Sequence, residues 1–365
     1  MSTIDIGLSK RELDTPALCL DAAALERNIA RMASYFQDRP AALRPHCKTH
    51  KCPTIAWMQL RAGAIGITCA KLGEAEIMGQ AGIRDLLIAN QIVGARKISR
   101  LVNLAAYTDV MVALDDLDNA SELSDAAEAK GVRLRVLLEV VVGMKRCGVP
   151  PGQPALDLAR QVTALPGLRF EGIMGYEGHA IDIPDRAERE RMAREAMAKL
   201  VATRDLLDRN GIEVGIVSGG GTGTYDITGN YEGITEVQAG SYATMDAKYR
   251  DEVGIDYELA LTVVSRVISV NEPNMAVIDA GLKTLSTDSG PGHLIRPEGW
   301  RLGKKLSEEH GRLHHEGGEP LRPGDTVEIV PAHGCTTINL HDAYHVTRDG
   351  VVEAVWPIAA RGCIR

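Results

Sequence analysis

LRPHCKTHKCP, residues 43–53, decides how the rest of the chain is read. With the two alanines before it, it forms AALRPHCK (41–48), an apolar start running into a polar end, and Pro53 stops it. Arg44, His46, Lys48, His50 and Lys51 crowd eight positions of a chain whose formal net charge is −8. Such a cluster has three meanings: a solvated charged face, a metal site, or the seat of a reactive lysine. The choice depends on whether the segment is one unit of a repeating pattern.

It is. Further strand candidates follow at AIGITCA (64–70), DLLIAN (85–90), DVMVAL (109–114), RLRVLLEV (133–140), RFEGIMGYEG (169–178), GIVSGG (215–220) and ITEVQAGSY (234–242). Between most of them lie amphipathic segments with apolar residues at i, i+3 and i+4, such as LGEAEIMGQAG (72–82) and ALDLARQVTAL (155–165). The charged run 186–211 reads as a long helix stopped at Gly211. Eight strand–helix units over about 220 residues predict a (β/α)8 TIM barrel. A doubly wound open sheet is the alternative, but it rarely needs eight consecutive units. In a barrel, chemistry gathers at the C-terminal strand ends. Here those ends are polar or glycine-rich, among them HCK, GYEGH, SGGGTGT and QAGSY.

After about residue 255 the texture changes to strands and tight turns: 259–270, 274–281, 325–334 and 343–359, with RDG at 348–350. No clear helix intervenes. The expected organisation is a barrel over 21–254 and an antiparallel β-domain made of 1–20 and 255–365.

Composition narrows the function. With 45% hydrophobic and 25% charged residues, the chain reads as an ordinary globular protein. The acidic balance supplies no basic stripe for nucleic acid. No run of apolar residues is long enough for a membrane span. The N-terminal MSTIDIGLSKRELDTP lacks the apolar region of a secretory signal, so a cytoplasmic location is expected. Seven scattered cysteines without a CxxC pair indicate neither a disulfide framework nor a zinc knuckle.

Several groups could carry chemistry. In SGGGTGTYD (218–226), glycines after an apolar strand let backbone N–H groups approach an anion. The loop follows the seventh strand, not the first, so it is not a dinucleotide fingerprint. QAGSY (238–242) adds Gly240, Ser241 and Tyr242 at the same rim. His333 and Cys335, two apart on an expected strand end, would point to one face and could share a cation. Read alone, they are more simply a half-buried His and Cys. At Lys48, neighbouring positive charge and burial would favour the neutral amine that forms an imine. Arg146 ends the fifth strand, while Tyr176, Glu177 and His179 end the sixth. They could pack on a planar cofactor or move protons. Together these features fit pyridoxal-phosphate chemistry.

At this point the chain resembles the D-threonine aldolase and D-serine dehydratase-like family, pyridoxal-phosphate enzymes of the alanine-racemase fold type. The ordered motifs LDTP, RPHCKTHK, SGGGTGT, EVQAGSYATMD and HGCTTINLHD carry the resemblance over nearly the whole length. It implies that Lys48 holds pyridoxal 5′-phosphate covalently, with Arg146 and Tyr176 beside it. It also implies that Gly220, Gly221, Thr222, Gly240 and Ser241 surround the phosphate, with Tyr242 among the cofactor-binding residues. His333 and Cys335 match the metal positions for Mn, Mg or Zn, and the thiolate tilts the choice to zinc. The substrate implied is a D-3-hydroxy amino acid, the reaction retro-aldol cleavage with His179 as base, and the assembly a homodimer. The His-x-Cys pattern keeps D-serine or D-3-hydroxyaspartate dehydration as the alternative. A racemase of the same fold would need a second base and no metal. A pyridoxal-phosphate homeostasis protein would lack the last 110 residues or so.

Overall fold

A computed structural model of the protein describes residues 5–365. It divides into two compact units. One contains the residues up to Ala30, Thr49–Thr54 and Ser241–Gly362; the other contains Arg31–Lys48, Ile55–Gly240 and Cys363–Arg365.

The second unit carries eight parallel strands: Ala42–Leu43, Ile67–Cys69, Asp85–Gln91, Asp109–Leu114, Leu134–Glu139, Leu168–Met174, Ile216–Gly219 and Glu236–Val237. They correspond one to one with the expected strands. Leu, Ile, Val, Ala and Met dominate them, which suits strands covered on both faces. One cluster of the interior joins Leu87, Met111, Ala113, Leu137 and Met174 from neighbouring strands.

The first and last strands pair in parallel, Ala42 with Glu236 and Leu43 with Val237. Beyond Leu43 regular pairing breaks off, because Pro45 has no N–H to donate. The segment nevertheless stays held on both sides. His46 N–H donates to the Ala239 carbonyl at 3.1 Å, and Cys47 N–H donates to the Thr68 carbonyl at 2.8 Å. Thr68 N–H in turn donates to the Pro45 carbonyl at 2.9 Å. These bonds tie the first strand to the second and close the barrel.

Charged side chains fill one end of this ring. Arg44 Nε donates to Glu236 at 3.0 Å, and the same guanidinium reaches Asp85. Arg135 binds Asp109 at 2.8 Å and Glu171 at 3.3 Å. Gly66 leaves the space that the Arg44 guanidinium occupies. The long helix runs Arg186–Arg209. The Asp185 carboxylate caps its first turn by accepting from Glu188 N–H, and Gly211 at φ +79 ends it.

In the first unit a mostly antiparallel sheet is built on the long strand Leu261–Glu272, which pairs with Ala17–Asp21, Met275–Ile278 and Thr326–Val330. Ala17–Asp21 is flanked on its other edge by Ala343–Arg348, in parallel. A two-residue hairpin joins that strand to Val351–Pro357. Asp349 and Gly350 both have positive φ, as such a turn requires. Three strands lie between the anticipated ones: His293–Arg296, Trp300–Leu302 and Gly311–His315. The expectation of no helix here is corrected by Gly334–Ile338. Among the described residues no helix is long and apolar enough to cross a membrane.

The Arg44 and Glu236 side chains are only 3% and 2% exposed, so removing one leaves the other charged and buried. Arg44→Ala is therefore expected to lower unfolding free energy by about 3–5 kcal/mol, measured by denaturant titration.

Candidate active site

Lys48 stands in the turn that follows the closed first strand, and its N–H donates to His46 Nδ1 at 3.3 Å. Its Nζ lies 5.7 Å from the centre of the Tyr176 ring, and the Arg146 guanidinium lies 5.7 Å from the same ring. Strands one, five and six thus bring these three residues together around one aromatic face. Arg146 is half exposed and sits 3.6 Å from Glu139. Burial raises the Glu139 carboxyl above its ordinary range, opposed by a 2.6 Å hydrogen bond from Gln91 and the charge of Arg146.

His179 lies in the loop after the sixth strand. Its ring fills the space beside Gly143, where any Cβ would overlap the imidazole. The Nδ1 atom is buried and has no hydrogen-bond partner among the described residues. A buried nitrogen without a partner is unfavourable in the unliganded protein and points to a ligand or a proton-transfer role.

The glycine loop after the seventh strand is organised from within. Gly220, at φ +77, donates its N–H to the Glu177 carboxylate at 3.1 Å. Gly221 donates to the Thr224 hydroxyl at 3.3 Å. Those two N–H groups, expected to face a phosphate, are thus already engaged. The buried N–H groups of Gly223 and Gly240 have no partner among the described residues. They are donors that an anion would satisfy. A Cβ on Gly223 would overlap the Ile181 carbonyl, so only glycine fits there. Thr222 is buried beside it. Gly223 was absent from the expected set, although its place in the GTGT run was the available signal.

The other candidate group lies in the first unit. The strand Thr326–Val330 stops before His333, which caps the short helix Gly334–Ile338 in extended conformation, with Cys335 in its first turn. The expected reason for their adjacency, a common strand face, is therefore corrected. A helix start brings them together instead, one residue apart across Gly334. Asp246 sets that start by accepting from Gly334 N–H at 3.0 Å. Asp288 Oδ2 binds His333 Nδ1 at 2.6 Å and accepts from the Thr336 hydroxyl through Oδ1 at 2.9 Å. Burial pushes the His333 imidazole down, but Cys335 and Asp288 outweigh it and bring it up to about 9.

Thr49 Oγ1 lies 3.2 Å from Cys335 Sγ and 3.4 Å from Ser241 Oγ, which is itself 3.7 Å from the sulfur. Ser241, expected at the phosphate, is thus a neighbour of Cys335. Tyr242 is fully buried with its ring edge-on to Tyr257 at 5.9 Å. Among the described residues no three His, Cys, Asp or Glu side chains converge as a ready metal cage. A two-donor His–Cys pair leaves positions open for water or substrate. The carboxylate on Nδ1 leaves Nε2 as the ring's other nitrogen for an ion.

Comparison with known proteins bears on both units. The alanine racemase N-terminal domain matches residues 20–248, and a putative serine dehydratase domain matches 260–347. D-threonine aldolase from Arthrobacter sp is 39% identical over 357 residues, covering 97% of this chain and 94% of the relative. 3-Hydroxy-D-aspartate aldolase from Paracoccus denitrificans is 37% identical, covering 98% and 94%. Among solved structures, D-threonine aldolase from Filomicrobium marinum superposes with a TM-score of 0.95 at 38% identity, covering 99% of each chain. D-threo-3-hydroxyaspartate dehydratase from Delftia sp. HT23 gives 0.88 at 27% identity, covering 96% and 98%. Matched over nearly its whole length by these relatives and by the two family domains in order, the chain belongs to the alanine-racemase-like lyase family in which that barrel is joined to a serine-dehydratase-type domain.

Proposed function

We propose that this lyase cleaves the Cα–Cβ bond of D-3-hydroxy amino acids, releasing glycine and an aldehyde. The pattern of relatives carries the reading: the aldolases stand at 37–39% identity and the dehydratase at 27%, each over nearly the full length. Lys48 would hold pyridoxal 5′-phosphate covalently, and that group when bound would supply a ring that draws electrons away from Cα. Tyr176 and Arg146 would orient it. The N–H groups of Gly223 and Gly240, with Thr222, Ser241 and Tyr242, would meet its phosphate, and Gly220 and Gly221 shape the loop.

His333 and Cys335 would hold a divalent cation, which lowers the pKa of a bound hydroxyl. A thiolate donor favours zinc over manganese or magnesium. Asp288 fixes the His333 tautomer and leaves Nε2 for the ion. His179 Nδ1 receives the hydroxyl proton as the carbon–carbon bond breaks, and Gly143 leaves the ring room to do so. On the family resemblance, the active form would be a homodimer.

The His-x-Cys spacing supports a second reading, dehydration to a 2-oxo acid and ammonia. Alanine variants of D-threo-3-hydroxyaspartate dehydratase replace a histidine and a cysteine two positions apart, and the cysteine variant has a metal-free form. That spacing matches His333 and Cys335. Dehydration would need the Cα proton removed, a task for the Lys48 amine.

Incubating the holoprotein and each of Zn, Mn and Mg with D-threonine and D-serine should yield glycine and acetaldehyde from D-threonine. The yield should fall in a chelator while the cofactor stays bound. A 2-oxo acid and ammonia as the main products would overturn the aldolase reading in favour of dehydration. Lys48→Ala should lose the visible absorption at roughly 400–430 nm that protonated imines of this cofactor give. A retained band would remove Lys48 from its role. His179→Ala should lower kcat about 10²- to 10⁴-fold with the band intact. An unchanged rate would discard His179 as the base.

A further inference from the structure

Glu177 is fully buried, yet none of the steps above uses it. It directly follows Tyr176 at the end of the sixth strand, but its carboxylate turns to the glycine loop after the seventh. Oε2 accepts the Gly220 N–H at 3.1 Å. Oε1 accepts the Thr224 hydroxyl at 2.7 Å and also the Thr228 hydroxyl. Thr224 relays the arrangement, because the same oxygen accepts the Gly221 N–H at 3.3 Å.

The effect is directional. A carboxylate is purely an acceptor, and here every partner is a donor from one stretch of nine residues, 220–228. The loop's first two N–H groups are drawn to Glu177 and Thr224. The next glycine N–H without a partner among the described residues is that of Gly223. We propose that Glu177 is a positioning residue that turns Gly220 and Gly221 inward and so selects Gly223 as the loop glycine presented to the cofactor's phosphate. The assignment rests on the pyridoxal-phosphate reading above. It goes further by saying why this loop has its shape and why a buried acid lies beneath an anion site. A bare carboxylate there would repel a phosphate; one enclosed by three donors is stabilised by them and fixes the loop.

The test separates the phosphate from the rest of the cofactor. The full-length protein, freed of cofactor, is titrated with pyridoxal 5′-phosphate and with pyridoxal by equilibrium dialysis. Glu177→Gln sets an amide donor against donors already in place. Its affinity for the phosphate ester should fall by about tenfold or more, while that for pyridoxal should change less than about threefold. Thr228→Val removes one donor and should move the ratio the same way by a smaller factor, and Thr228→Ser should restore it. Equal losses for both ligands would reduce Glu177 to a general structural role and overturn the proposal, as would an unchanged ratio in Glu177→Gln. Should Glu177→Gln fail to fold, the Thr228 pair decides alone: a ratio unmoved by Thr228→Val counts against the assignment. A wild-type protein that binds pyridoxal as tightly as its phosphate would instead bring down the cofactor reading itself, a result distinct from failure of the Glu177 variants.

Discussion

Closure of the first strand onto both of its neighbours is the constraint from which the barrel site follows. Pro45 interrupts the ladder, and regular strand pairing spans only Ala42–Leu43. The segment is kept in line by bonds from His46 to Ala239 on one side and from Cys47 to Thr68 on the other. Arg44 adds the buried pair with Glu236, joining the first strand to the eighth by charge as well as by backbone. A lysine one residue past such an anchor has little backbone freedom. The basic crowding of LRPHCKTHKCP therefore resolves into separate tasks. Arg44 serves closure, His46 Nδ1 receives the Lys48 N–H, and His50 Nδ1 receives the Cys52 N–H at 3.1 Å.

Much of this was legible in the sequence because it depends on local pattern. Alternating apolar runs and amphipathic segments follow from the periods of strand and helix, so eight barrel strands could be counted. The Asp185 cap at the start of the long helix went unread, whereas Gly211 announces its end by the chemistry of caps. The Arg-Asp-Gly turn at 348–350 announces a hairpin for the same reason. The candidate residues Lys48, Arg146 and Tyr176 could be grouped because a barrel gathers its strand ends, whatever their separation along the chain.

What could not be read depends on pairings between distant residues. Asp288 stands 45 positions from His333, and Asp246 stands 88 from Gly334. No periodicity connects either pair, so the helix start that they support read as the end of a strand. The Gly-Gly-Gly run was recognisable as an anion loop, but not which of its N–H groups are already engaged. That depends on Glu177, 43 residues before Gly220. His179 illustrates the same limit, since the space for its ring is provided by Gly143 on a different strand end.

A common device links these distant pairings. Glu177 orders the glycine loop, Asp246 fixes the N–H of Gly334, Asp288 holds His333, and Glu139 lies beside Arg146. Burying a carboxylate costs several kcal/mol unless donors surround it. Glu177, Asp246 and Glu139, which are buried, therefore hold their partners in a narrow range of geometry, since losing one partner would restore much of that cost; Asp288 is exposed and holds His333 by its hydrogen bond alone. Flexible side chains on loops would otherwise spend much of their time out of position. In such a protein the groups proposed for chemistry need not be intrinsically rigid. Their precision comes from acids that take no part in the reaction and are bonded to the backbone or ring that must stay in place. Of the acids named here, Glu177, Asp246 and Glu139 are buried, where bonded donors offset their charge. The cofactor's phosphate would then meet the outward N–H groups that remain.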